Sequence, residues 1–267
     1  MADAYPSLFK AEHKRYPPFG RCIYCDATEN LTTEHIIPFG LGGTFVLPES
    51  SCALCSRETS RVERTVLRGE LWPVRVLRAL SSRRGHRHAP SSYPLTIERG
   101  GLEEIVHLPV EQFPILVPFP DFAPARLAVG AASKPGIDLA GIVTVSFGPN
   151  PNEVLQALNA TAIKPYVGTH PVSFARMIAK VGYAMAAATG ALSLIRNPSP
   201  VRQAILGVNA NIGDYVGTLT YPITRYADQL HRVAVLPDKN LGQLVADVHL
   251  FSDSQSPRYG VLLGELA

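Results

Sequence analysis

An α+β fold is predicted by three features of the sequence. Short β-branched runs occur in pairs around turn residues, two stretches carry helical periodicity with start and stop signals, and strands and helices do not alternate regularly. The chain of 267 residues is 46% hydrophobic, enough to bury a sizeable core and to exclude a disordered tail.

The elements follow in order. After an extended lead, Tyr16-Pro17-Pro18-Phe19-Gly20, the run 30–38 (Asn-Leu-Thr-Thr-Glu-His-Ile-Ile-Pro) reads as a strand ending at proline. Gly40-Leu41-Gly42-Gly43 supplies a loop, and 44–47 reads as a short returning strand. A helix is expected over 53–68 with Gly69 near its end, and Pro73 opens a second helical stretch to about Leu80. Residues 81–94, rich in Ser, Arg, His and Pro, read as a linker, so the chain is divided into 1–90 and 91–267.

In the second part, 93–98 and 105–108 flank Gly100-Gly101 as a hairpin, 115–119 and 142–147 read as strands, and 152–159 suits a short helix. The run 171–189 is the strongest helix, with Pro171 in its first turn, Gly190 at its end and an interior rich in Ala and Met. Residues 243–251 and 259–263 bracket a Ser- and Pro-rich turn as a further hairpin. The apolar stretch 181–195 is too short to span a bilayer, which needs roughly 20 residues. No basic start followed by an apolar run and cleavage site is found, so a cytoplasmic protein with reduced thiols, away from membranes, is expected.

Charge and cysteine are unevenly placed. The net charge of +3 is too small to indicate a nucleic-acid partner by itself, but residues 1–90 carry +4 and 91–267 carry −1. Cys22, Cys25, Cys52 and Cys55 all lie in the first segment, as C-x₂-C, 26 residues, C-x₂-C. Thiolates at that spacing face one ion, and two such pairs in a reducing compartment are the usual sign of tetrahedral Zn²⁺. A redox C-x-x-C would want a thioredoxin-like strand–helix context, and disulfides an oxidising compartment. Four thiolates leave no open position for water, so this zinc is expected to hold the fold.

Between the pairs lie Glu34-His35-Ile36-Ile37-Pro38 and then Leu41-Gly42-Gly43. In this combination, over roughly residues 20–70, the chain resembles the HNH endonuclease family, whose ββα-metal finger is often framed by two cysteine pairs. The resemblance implies an N-terminal treble-clef-like, zinc-stapled ββα-metal domain. It is followed by a mixed α+β domain with antiparallel hairpins and one long buried helix.

The resemblance also implies metal-dependent hydrolysis of phosphodiester bonds, of DNA more than RNA. His35 would be the general base activating water, and Glu34 would help ligate a catalytic Mg²⁺ or another divalent ion such as Mn²⁺ or Ni²⁺. A reference pKa near 6.5 lets a histidine accept a proton at neutral pH. Two departures are visible. Leu47 stands where many members have Asn, and no His or Asn follows the fourth cysteine, where Glu58 or Glu63 is the candidate ligand.

Residues 57–87 hold nine arginines and no lysine. Arg57, Arg61, Arg64 and Arg68, with Arg75 and Arg78 beyond, recur at helical steps on one stripe suited to phosphate oxygens. His86-Arg87-His88 reads as a flexible basic patch, and Arg176 and Lys180 as flanking the buried face of the long helix. His107, His170, His231 and His249 are assigned no role. Two other readings stand beside the nuclease: a zinc-dependent nucleic-acid-binding module with a degenerate catalytic set, and a nuclease effector gated by a ligand or protein bound to the C-terminal domain. Oligomeric state is not read from the sequence.

Overall fold

The computed structural model describes residues 13–80, 91–164, 168–196, 199–220 and 224–267. It begins with a two-residue strand, β1 (Lys14–Arg15), parallel to a later strand of the same sheet. Strands β2 (Leu31–His35) and β3 (Phe45–Cys52) form an antiparallel hairpin and run directly into helix α1 (Ala53–Arg68). The hairpin loop closes through a 3₁₀ turn, Phe39–Leu41. Gly43 is needed there, since a Cβ at that position would lie 1.9 Å from the carbonyl oxygen of Ile37. Helix α2 (Trp72–Leu77) follows with proline in its first turn.

Next come the hairpin β4 (Ser92–Arg99) and β5 (Leu102–Pro109), the pair β6 (Ile115–Phe122) and β7 (Leu139–Phe147), and helix α3 (Pro151–Ala157). Strand β8 (Ala162–Lys164) pairs with β4. Helix α4 (Pro171–Ala188) precedes α5 (Val201–Leu206) and β9 (Val216–Thr218). The chain ends with β10 (His231–Asp238), β11 (Gln243–Leu250) and β12 (Arg258–Glu265), which join β9 in an antiparallel sheet of order β10-β11-β12-β9. The fold is mixed α+β, with antiparallel hairpins and one long buried helix. No helix among the described residues is long and apolar enough to cross a membrane.

Helix α4 positions the rest. It packs against α1 on one side and against β10, β11 and β12 on another, and every residue from Phe174 to Ala187 except Arg176 is buried. A helix buried nearly all round must be apolar nearly all round. Its Ala and Gly residues permit close approach: a Cβ on Gly182 would meet that of Ala246 on β11 at 2.6 Å.

Buried side chains from 1–90 and from 91–267 belong to one hydrophobic cluster. Polar ties cross between them as well. Arg78 makes a bidentate pair with Asp253, at 2.9 and 2.6 Å, and stacks over Phe147.

Several expectations are corrected. The returning strand extends to Cys52, because a bulge with Glu49 at φ 49° lets β3 continue past its irregular register with β2. The expected linker ends before Ser92. Pro94 lies in β4 beyond the part that the described residues of β8 pair with, Thr96 to Glu98. Strands β1, β8, β9 and β10 and helix α5 are additional to the sequence reading. The His86-Arg87-His88 patch, with Arg83 and Arg84, lies outside the described residues.

Candidate metal centre and nucleic-acid interface

The cysteine pairs come together from three pieces of backbone. Cys22 and Cys25 sit on a tight turn in which the Asp26 N–H donates to the Cys22 carbonyl at 2.9 Å and the Cys22 N–H to the Ala27 carbonyl at 2.7 Å. Asp26 takes the left-handed conformation, φ 62°, that lets the chain reverse. The Ile23 N–H donates to Ser50 at 2.8 Å, which fastens the turn to β3. Cys52 ends β3 as the N-cap of α1, and Cys55 lies in the first helical turn.

All four Sγ atoms lie within 4.8 Å of one another, with Cys25 and Cys52 3.6 Å apart. Tetrahedral Zn²⁺ with Zn–S near 2.3 Å requires sulfurs about 3.8 Å apart, so the four thiols could hold a metal ion such as zinc. Burial opposes charge on Cys52, but the Cys55 backbone N–H and hydrogen bonds with the other thiols outweigh it and bring the thiol down to about 7.

Glu34 and His35 are neighbours at the end of β2, and neighbours on a strand point to opposite faces. Glu34 turns inward and is 7% exposed. His35 is half-buried, its ring edge-on to Phe39 at 5.5 Å between centroids. Inside, Glu34 meets Lys180 from the middle of α4, with the Nζ atom 2.6 Å from Glu34 Oε1 and 2.9 Å from Glu63 Oε1 on α1. The same ammonium donates to the carbonyl oxygens of His35 and, at 3.3 Å, Ile36. Burial opposes the charge of Lys180, and the two carboxylates overcome that penalty and hold it above its ordinary value. Burial raises the Glu34 carboxyl, against the pull of Lys180.

This arrangement separates the candidates for a catalytic ligand. Glu58 and Glu63, five residues apart on α1, lie about 140° apart around the helix. Glu63 reaches Glu34's cation, whereas Glu58 faces Arg61 at 2.9 Å and Arg176 at 3.8 Å. Of the two, Glu63 lies beside Glu34 and Glu58 lies away from it. Carboxylate and carbonyl oxygens are the donors that Mg²⁺ and Mn²⁺ prefer. The point on which Glu34 and Glu63 converge is filled by the Lys180 ammonium, so the expected divalent ion does not fit between them in this structure.

Lys180 was expected to flank the buried face of its helix. It is instead 2% exposed and the hub of an ion triad. The available signal was a lone lysine inside an apolar helix, since a fully buried lysine requires a partner. Leu47 is 2% exposed and paired in register with Glu34, so this position is part of the core.

Helix α1 buries Cys55, Thr59, Val62 and Val66. Arg57, Arg61, Arg64 and Arg68 lie opposite, within about 60° of one another and exposed. Among the described residues, Arg57, Arg64 and Arg68 make no salt bridge or side-chain hydrogen bond, and Arg61 pairs with Glu58. Arg75 and Arg78 leave the stripe: Arg75 donates to Gly40 and Leu67 carbonyls, and Arg78 is held by Asp253.

Fold and site together define a mixed α+β protein in which a hairpin and helix are pinned by a four-cysteine cluster able to hold a metal ion. Comparison with protein families, curated proteins and solved structures finds no match to this chain.

Proposed function

We propose that this chain is an HNH-type endonuclease that hydrolyses phosphodiester bonds of nucleic acid, DNA before RNA. The observation that carries the reading is the hairpin–helix unit. Its first strand ends in Glu34-His35, its loop is the Gly42-Gly43 turn, and its helix starts between two cysteines of a four-thiol cluster. Zinc on Cys22, Cys25, Cys52 and Cys55 would supply a closed structural staple with no position for water. His35, half-buried at the strand end, takes a proton from the attacking water. Arg57, Arg64 and Arg68, helped by Arg61, hold phosphate oxygens. No step is routed through a second metal, because Glu34 and Glu63 are committed to Lys180.

That same commitment favours a second reading, a zinc-dependent module that binds nucleic acid without cutting it. Supercoiled plasmid incubated with wild type and with His35→Ala separates the two, with and without Mg²⁺, Mn²⁺ or Ni²⁺ and with binding followed in parallel. Cleavage by wild type alone supports the endonuclease. Binding without cleavage by either protein gives the binding module, and equal cleavage by both removes His35 as base.

A further inference from the structure

We infer that Lys180 is a tethered cation standing in the place of a divalent ion, and that the chain carries a divalent-cation site masked by its own lysine. Four oxygens from β2, the residue after it and α1 converge on one Nζ: Glu34 Oε1 at 2.6 Å, Glu63 Oε1 at 2.9 Å, and the carbonyls of His35 and Ile36. An ammonium has three protons to donate and one positive charge. Here it faces four acceptors and two carboxylates, a donor set with more oxygens and more charge than it can satisfy.

A second group points the same way. Tyr24 is 3% exposed, and its hydroxyl lies beside the Glu34 carboxyl without closing a hydrogen bond of good geometry, within reach of the charges of Glu34 and Glu63. A buried hydroxyl without a well-formed hydrogen bond costs free energy, and a hydrated or oxygen-liganded ion is the kind of neighbour that would use it.

The mask is fixed. Lys180 lies at the centre of α4 between Ala179 and Val181, both fully buried, and is preceded by Phe174, Met177 and Ile178 in the core. Gly182 presses the helix backbone against Ala246, so α4 does not withdraw its lysine without unpacking from β11. Shortening the side chain, by contrast, empties the position and leaves two carboxylates and two carbonyls around it. Those are hard oxygen ligands of the type that Mg²⁺, Mn²⁺ and Ca²⁺ take. This inference concerns metal occupancy and does not depend on the chain being a nuclease, so either can fail while the other stands.

The test is titration of the zinc-loaded full chain with Mn²⁺, following the paramagnetic resonance of the free ion. Wild type, Glu63→Gln, Lys180→Ser and Lys180→Ser/Glu63→Gln are compared. Lys180→Ser should bind one more Mn²⁺ than wild type, and adding Glu63→Gln should weaken that binding at least tenfold. Because Lys180→Ser brings two carboxylates together without a counter-ion, its thermal midpoint is measured too, and Mn²⁺ should raise it more than it raises wild type. Three results overturn the inference. They are wild-type uptake that Glu63→Gln abolishes, equal uptake by wild type and Lys180→Ser, and a Lys180→Ser protein that neither binds Mn²⁺ nor is stabilised by it.

Discussion

The imidazole of His231 ties the C-terminal sheet to the loop of the β2–β3 hairpin, with Nε2 2.8 Å from the carbonyl oxygen of Leu41. The Phe251 N–H donates to the other ring nitrogen, Nδ1, at 3.0 Å, which fixes the neutral tautomer with its proton on Nε2. Burial is the main reason that His231 is held down to about 4, and the nearby Arg78 adds to it.

The sign follows from the folded value lying below the ordinary 6.5. As pH falls through 6.5 the unfolded chain gains a proton that the folded chain refuses, so stability present at neutral pH is lost between about 6.5 and 4. The loss at this site is on the order of 3 kcal/mol. Urea unfolding of wild type from pH 7.5 to 4.5 should show that slope, and His231→Gln should flatten it. An unchanged slope in the variant would place the acid sensitivity elsewhere.

The triad of Glu34, Lys180 and Glu63 is expected to behave as a buried charge network. Lys180→Met leaves two carboxylates facing each other without a counter-ion and should cost about 3–5 kcal/mol at pH 7.5. The cost should shrink as pH falls and the carboxylates protonate. It should also shrink in Lys180→Met/Glu34→Gln, where less charge is stranded. Equal losses at pH 7.5 and 5 would mean that packing, not charge, sets the penalty.

The four thiols predict one tightly held zinc per chain, measured by atomic absorption on purified protein. Cys55→Ser or a strong chelator should unfold the hairpin–helix unit, because the four thiols join the 22–25 turn to the end of β3 and the start of α1. The shared core makes the loss spread to α4, so far-UV circular dichroism should fall across the whole chain. Full retention of structure without metal would remove zinc as the staple.

If α1 lies along a phosphate backbone, the logarithm of affinity should fall linearly with the logarithm of salt, with a slope near 0.9 per phosphate contact. Replacing Arg64 and Arg68 by Ala should reduce that slope by about 2. Replacing Arg61 should change it less, since Glu58 already takes part of its charge. Fluorescence anisotropy with a short duplex at several salt concentrations measures both. An unmoved slope would take the arginine face out of the interface.

What the sequence made legible is local. Helix α1 matches the expected 53–68 because its start after Cys52, its end at Gly69 and its apolar spacing agree with one another. The β4–β5 hairpin was legible from Gly100-Gly101, both with positive φ. Strand β10 was not, because it is an edge strand carrying Pro237 and exposed Leu236, without the apolar alternation of β11. The cysteine cluster was legible because its spacing encodes its geometry. Lys180 was not, because its partners lie more than a hundred residues earlier in the chain and only the packing of α4 on α1 brings them together. Glu58 and Glu63 were equivalent in sequence and are separated by the direction of one helix face.

The reading as an endonuclease rests on His35, and the most direct measurement is the initial rate at which zinc-loaded protein nicks supercoiled plasmid, at equal fraction bound, for wild type and His35→Ala. The account predicts that wild type nicks the plasmid and that the variant, folded and binding equally well, is slower by about 10²-fold or more. Equal rates for the two proteins would contradict it.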